Sequence, residues 1–257
     1  MTTDSTPGTA LEPVTSTAPE KSGSMAPERV RAMFDRIARP YDAMNRAMTL
    51  GLDQRWRALA AAETGVGGGA SVLDCCSGTG DLAFALGELV GPSGEVIGVD
   101  FSPAMLVRAR AKAAERGIVN VDFVEGDALA LPLPDRRVAA ATVGFGIRNV
   151  ADVEQGFREL ARVVRPGGRV VCLEITTPQS GPLQPFYRFW FDRLVPLVGR
   201  AADSGSAYAY LPASVRRFPP PQELGAIMFR AGLVNVRYRI LAGGIVALHL
   251  GEVPVRR

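Results

Sequence analysis

The chain has 257 residues, 47% of them hydrophobic, enough for one large α/β core with extensions. Its 29 Lys and Arg against 26 Asp and Glu leave a net charge of only +3, so no strong basic excess marks a nucleic-acid binder. Three cysteines in no metal-binding spacing (Cys75, Cys76, Cys172) and a single histidine, His249, argue against a disulfide framework, a metal site and histidine-triad chemistry.

Residues 1–27 are rich in Thr, Ser, Pro and Ala without apolar periodicity, and read as a disordered tail that lacks the apolar core of a secretory signal. No run of 18 apolar residues predicts a membrane span. From residue 28 the pattern changes. Val30, Met33, Phe34 and Ile37 recur at helical spacing until Pro40 stops the helix. A second helix is predicted over 41–48 and a third over 53–62, with Gly51 between them. Preceding the first strand, these helices over 28–66 can cap its ligand end. Tyr41 and Asn45 then face a substrate pocket, or, with Asp42, simply cap a helix and meet solvent.

Residues 71–100, SVLDCCSGTGDLAFALGELVGPSGEVIGVD, read as strand, glycine turn, helix, turn and strand. Asp100 ends the second strand, with Phe101 after it, where an acidic side chain can accept hydrogen bonds from a ribose diol. A dinucleotide fits poorly. The third glycine of its motif is missing from Gly78-Thr79-Gly80-Asp81-Leu82-Ala83, and Asp81 places negative charge where a pyrophosphate must sit. Two carboxylates around the turn, Asp74 and Asp81, suit a ligand bearing an ammonium and a sulfonium, as S-adenosylmethionine does. The plain alternative is an ordinary strand–helix turn with a helix-favouring Asp. Adjacent Cys75 and Cys76 are expected on opposite faces of the strand.

Ser102-Pro103 opens a helix over 103–116, and a third strand follows over 118–124. Asp127-Ala128 just beyond it can meet an adenine, or form a plain turn. The fourth strand, 138–145, is apolar throughout, and Gly144 to Asn149 close it at the ligand edge. A helix over 152–164, ended by Arg165-Pro166-Gly167-Gly168, leads to a fifth strand over 169–174. The alternation predicts a parallel sheet with helices on both faces, a core over 71–174. Residues 176–217 break the rhythm as an inserted cap, with five aromatics in residues 186–191 that suit core, an apolar acceptor channel or a membrane surface. A last helix over 221–231 precedes strands over 234–240 and 244–250, an antiparallel pair at the sheet edge, with His249 a structural residue at a strand end.

With these residues laid out, the chain from about Val30 to Gly251 resembles the class I S-adenosylmethionine-dependent methyltransferases. More narrowly it resembles the quinone-biosynthesis C-methyltransferases, which comprise the demethylmenaquinone methyltransferases and their ubiquinone-pathway relatives. The motifs are MFDRIARPYDAMNRAMTLGLDQRWR, VLDCCSGTGDL, FGIRNV, RVVRPGGRVVCLE and GGIVALHLG. The resemblance implies a Rossmann-like, seven-stranded, mostly parallel sheet with an N-terminal and an inserted helical cap. It implies that Asp74, Gly78, Thr79 and Gly80 hold the methionine end of the cofactor, that Asp100 beside Phe101 binds the ribose, and that Asp127 and Ala128 meet the adenine. Gly144 stands where the family often has Ser, giving up a hydrogen bond there. Ser77 replaces a usual Gly and can crowd the turn, and Cys75-Cys76 replace a small apolar pair.

The implied acceptor is a ring carbon of a prenylated demethylquinol, made nucleophilic by deprotonation of the neighbouring hydroxyl. Arg148 is expected to stabilise the phenolate, with Asn149 and Tyr41 orienting the ring or a water. In the structural alternative Arg148 pairs with a carboxylate such as Asp152 and Asn149 caps the next helix. Overall resemblance favours a naphthoquinol; a benzoquinol, another small apolar acceptor, or a non-catalytic scaffold are the competing readings. A prenyl tail implies a cytoplasmic protein in peripheral contact with the inner face of the membrane, without an anchor. Nucleic acid is not an expected partner, and a homodimer is left open.

Overall fold

The computed structural model describes residues 26–177 and 205–255. The predicted N-terminal tail before residue 26 and the aromatic run 186–191 lie outside the described residues. Helices α1 (Pro27–Ile37), α2 (Tyr41–Thr49) and α3 (Leu52–Glu63) precede strand β1 (Ser71–Cys75). The core continues through α4 (Asp81–Val90), β2 (Glu95–Asp100), α5 (Pro103–Glu115), β3 (Val121–Glu125), β4 (Val138–Gly144), α6 (Val153–Val163) and β5 (Val164–Ile175). Then come α7 (Gly205–Arg217), α8 (Pro221–Arg230), β6 (Val234–Leu241) and β7 (Val246–Glu252).

The seven strands form one sheet in the order β3-β2-β1-β4-β5-β7-β6. β1 to β5 are mutually parallel, and β7 pairs antiparallel with both β5 and β6. The order reverses between β1 and β4, which is where an open α/β sheet leaves its ligand crevice. One apolar layer packs α6 and α8 on the sheet through Phe157, Leu160, Leu224 and Met228. The other packs α3, α4 and α5 through Ala60, Leu82, Leu86 and Leu106. Both faces of the parallel strands are therefore buried, which is why they read as unbroken apolar runs.

Three details depart from the sequence reading. β5 begins at Val164 and passes through a bulge at Arg165 to Gly168, where Gly167 adopts φ 82: Gly167 N–H donates to Val253 O (2.8 Å) and Val253 N–H to Gly168 O (2.9 Å). His249 sits in the interior of β7, opposite Cys172 and Tyr238, fully buried, with Nε2 2.8 Å from Pro221 O. Cys75 and Cys76 do not point apart. β1 ends at Cys75, Cys76 adopts φ 55, and the two sulfurs lie 4.0 Å from each other.

The front helices are tied down by a small cluster of their own, in which Val30, Met33 and Ile37 of α1 meet Met105 of α5. Asp35 of α1 accepts from Ser102 Oγ (2.6 Å) at the N-terminus of α5, and Arg31 pairs with Glu125 at the end of β3 (2.7 Å). α1 thus spans the carboxyl ends of β2 and β3. Among the described residues, no helix is long and apolar enough to cross a membrane.

Candidate functional site

A cleft of about 370 Å³ opens over the carboxyl ends of the strands. Its floor follows the sheet order: Asp127 and Ala128 beyond β3, Asp100 and Phe101 at β2, Cys76 and Gly78 beyond β1, Gly144 and Asn149 at and beyond β4. Phe34 and Tyr41 close it from the front helices. Phe34 makes edge contacts with Tyr41 (6.3 Å between centroids) and Phe101 (6.2 Å), so a continuous aromatic wall stands above Asp100.

Asp100 is the most engaged acid of the floor. Its two oxygens accept from Gly78 N–H (2.8 Å) and Ser102 N–H (2.9 Å). Burial pushes its pKa up to about 6, against those two hydrogen bonds, which pull it down. Each carboxylate oxygen has a second lone pair, so the group can still accept from a vicinal diol. Gly78 lies beside it at φ 54, and a Cβ there would meet nothing within 4 Å. Ser77 does not crowd the turn: its backbone stays outside the left-handed region, and its buried Oγ has no partner.

Asp74 lies deeper, at 1% exposure, accepting from Thr142 Oγ1 (2.7 Å), while its Oδ2 has no partner. Burial raises its pKa to about 7. The second carboxylate expected to face a cationic ligand is committed elsewhere. Asp81 pairs with Lys112 Nζ at 2.6 Å, and although burial acts to raise its pKa, the Lys112 charge outweighs that and holds it low. Lys112 also pairs with Asp42 of α2 (2.7 Å), and Thr79 donates its hydroxyl to Asp42 Oδ1 (2.5 Å). Thr79 therefore ties the glycine turn to α2. Gly80, at φ 88, accommodates the Phe84 and Phe123 rings, which would stand 2.9 and 2.8 Å from a Cβ.

At the β4 end, Phe145 adopts φ 58 and Gly146 passes so close to Cys76 that a Cβ would fall 2.3 Å from the Cys76 Cβ. Two non-glycine residues in the left-handed region, Cys76 and Phe145, thus stand at neighbouring strand ends, both on the cleft. Burial raises the Cys172 thiol well above its ordinary range, and Cys76 is raised by Cys75 and by burial, so neither serves as a thiolate nucleophile.

Arg148 does pair with a carboxylate, as the structural alternative has it, but the partner is Glu174 and not Asp152. Its Nη1 meets Glu174 Oε1 at the end of β5 (2.6 Å), and both side chains are buried. Burial raises the Glu174 pKa against the pull of Arg148. Asn149 does not cap α6 either; Asp152 does, accepting from Gln155 N–H (2.9 Å). Asn149 lines the cleft and its buried Oδ1 has no partner, and neither has Arg148 Nε. The cleft thus brings together Tyr41, Gly78, Asp100, Phe101, Asp127, Ala128, Gly144 and Asn149, and leaves Asp74, Thr79, Gly80 and Arg148 in the layer behind it.

The family model described as the ubiE/COQ5 methyltransferase family matches residues 23–253. The chain belongs to this family. Within it, a demethylmenaquinone methyltransferase of Thermus thermophilus is 46% identical over 223 residues, covering 86% of this chain and 100% of the relative. One from Roseiflexus castenholzii is 45% identical, covering 87% of this chain and 93% of its own. The architecture of this methyltransferase is shared with a SAM-dependent methyltransferase from Aquifex aeolicus (TM-score 0.55, 18% identity, 90% of this chain and 100% of that one). It is shared as well with the [4+2]-cyclase SpnF (TM-score 0.62, 19% identity, 91% and 98%), so the fold alone does not fix the chemistry.

Three residues of this methyltransferase escaped the sequence reading. Lys112 falls on the apolar stripe of α5 with Met105, Leu106 and Ala109, where a lone charge signals a buried partner. Glu174 stands one residue before the end of an apolar strand, as Asp74 does. Arg57, on the buried side of α3, gave no signal beyond its place in a helix.

Proposed function

We propose that this chain transfers the methyl group of S-adenosylmethionine to a ring carbon of a prenylated demethylnaphthoquinol, the conversion of demethylmenaquinol to menaquinol. The observation that carries the reading is the row of polar groups along the strand ends from β3 to β4, in a chain of this methyltransferase family. Its length matches the donor: three strand-to-strand steps span about 14 Å. Asp127 and Ala128 would hold the adenine, Asp100 would accept from the ribose diol, and the amino-acid end would be held toward β4. The unpartnered Asp74 Oδ2 and the open space at Gly78 fit its cationic centre. The relatives' shared name supports the acceptor.

The sulfonium supplies an already activated methyl group, so the protein's work is positioning and control of charge. Methyl transfer forms the ring C–CH3 bond and breaks the S–CH3 bond, and the ring proton then leaves as aromaticity returns. The neighbouring hydroxyl, with an ordinary pKa of about 10, must lose its proton for the carbon to react. Asn149 Oδ1 accepts a hydrogen bond from that hydroxyl, a water carries its proton to solvent, Arg148 Nε is a donor to the resulting oxyanion directly or through water, and Tyr41 orients the ring. Because Glu174 balances the Arg148 charge, the site offers a fixed donor rather than a free cation. The prenyl tail stays in the lipid, so the enzyme works in peripheral contact with the cytoplasmic face of a membrane.

The test is methyl transfer from labelled S-adenosylmethionine to reduced demethylmenaquinone, with the oxidised quinone and a demethylated ubiquinol precursor alongside. Label in the reduced naphthoquinol and not in the quinone is the expected result. Donor binding without label in either quinol would overturn the acceptor assignment.

A further inference from the structure

Helix α2 carries an apolar stripe, yet none of its residues is buried. Tyr41, Met44 and Met48 fall at i, i+3 and i+7, on one face, and Tyr41 stands in the wall of the cleft. The helix ends at Leu50, 83% exposed at φ 51, followed by Gly51 at φ 77 and by Leu52, the exposed first residue of α3. Left-handed backbone at a helix end is the place of Gly or Asn. A leucine there combines backbone strain with exposed apolar surface, which folding alone does not explain. On α3, Leu52 lies one turn from Trp56, whose ring meets Phe145 of the cleft edge-on at 6.5 Å. Two apolar lines thus lead from the cleft, one along each helix, to the same turn. Met44, Met48, Leu50 and Leu52 join none of the apolar clusters among the described residues. The exposed charges of residues 41–58 are Arg46 and Arg55, both basic, and neither is in an ion pair among the described residues. The acids of the stretch face inward, Asp42 on Lys112 and Asp53 beside Arg57.

We propose that the turn between α2 and α3 is where the chain enters a lipid surface: Leu50 and Leu52 sink among the acyl chains, and Arg46 and Arg55 rest on anionic headgroups. The inference rests on the acceptor reading above for its purpose, since a prenyl tail then passes from the lipid along the two apolar lines to the cleft. The nine residues of α2 span about 13 Å, so a wedge seated in the headgroup layer keeps the mouth of the cleft close to the lipid. Exposed charge of one sign, with apolar side chains between, complements an anionic bilayer. A second copy of the chain is the poorer occupant. Two leucines make a wedge, far short of the about 800 Å² that each partner of a stable pair buries, and a symmetric contact through the turn would set arginines against arginines.

The test is flotation of the full chain with vesicles of phosphatidylcholine alone and of phosphatidylcholine with one-third phosphatidylglycerol. The wild type is expected to float with the anionic vesicles and to be released by salt. Leu50→Asn combined with Leu52→Gln keeps a residue at home in left-handed backbone, and is expected to lower partition into the vesicles about tenfold. Arg46→Gln combined with Arg55→Gln is expected to remove the preference for anionic vesicles. In methyl transfer, the leucine variant is expected to lose about tenfold toward a long-chain demethylmenaquinol held in anionic vesicles, and to keep the wild-type rate toward a short-chain, water-soluble homologue. A wild type that binds neither vesicle, a leucine variant that binds as the wild type does, or one impaired equally toward both acceptors would overturn the inference. So would a wild-type dimer on gel filtration that the leucine variant breaks with vesicle binding unchanged. Flotation needs no acceptor, so vesicle binding without transfer to either naphthoquinol overturns the acceptor reading and leaves the lipid contact standing. If the double leucine variant does not fold, Leu50→Gly, which relieves the left-handed strain as it removes the side chain, is expected to lower the partition severalfold. An unchanged partition in that variant would overturn the inference.

Discussion

At the scale of single residues the cleft is a set of acids held out of water. Asp100 has its pKa raised to about 6, chiefly by burial. On the proposed reading it accepts from both hydroxyls of the ribose diol, which calls for the ionised form, so donor affinity is expected to hold above pH 7 and to fall as the pH drops through 6, measured by calorimetry from pH 5 to 8. Asp74, raised to about 7 by burial, gives a stability prediction with the opposite sense to most carboxylates. The folded chain binds this proton more tightly than the unfolded chain. The ligand-free protein therefore loses stability as the pH rises from 4 through 7, and the cationic donor is expected to offset that loss. Denaturant unfolding across this range, with and without donor, would show it; a stability contribution that grows with pH, traced to Asp74 by Asp74→Asn, would contradict it. The buried pair of Arg148 and Glu174 predicts a further asymmetry. Arg148→Ala leaves a buried acid alone and should cost about 3 kcal/mol, whereas replacing both residues by apolar ones of similar volume should recover most of it. Thermal or urea unfolding of the single and double variants would check this.

At the scale of elements, the strands and the helices between them were legible because each buried parallel strand is a short apolar run bounded by turn residues. Asp100 was legible too, as an acid closing such a run. What escaped was pairing across elements. Nothing near Asp81 in sequence announces that Lys112, 31 positions on, neutralises it, or that Asp42 of α2 completes the pair. Nor does the sequence around Arg148 reveal Glu174 on the next strand but one element along; Asp152, closer in sequence, is spent on capping α6. The bulge at Arg165 to Gly168 likewise took its partner, Val253, from the far end of the chain. The Lys112 contacts join α2, α5 and the glycine turn, so Lys112→Met should leave Asp81 and the half-buried Asp42 without a cation between them. It is expected to destabilise the fold by about 3 kcal/mol and to release α2 from the turn, seen as faster amide exchange in α2 than in α8. Uniform exchange in both helices would contradict that link.

At the scale of the whole molecule, the sheet order converts a linear sequence into a linear site. β3, β2, β1 and β4 lie side by side, so Asp127, Asp100, Gly78 and Gly144 form one row although 78, 100, 127 and 144 come in a different order along the chain. The front helices roof that row with Phe34 and Tyr41, and Gly146 and Asn149 lie beyond β4, where the proposed acceptor would meet the activated methyl group. This division, donor along the strand ends and acceptor beyond β4, is the central claim. The most direct measurement of it is a crystal structure of the chain with S-adenosylhomocysteine. The account predicts adenine beside Asp127 and Ala128, the ribose on Asp100, and the sulfur facing the Tyr41 and Asn149 side of the cleft. A nucleoside bound the other way round, with adenine at Gly144, or bound outside this cleft, would contradict it.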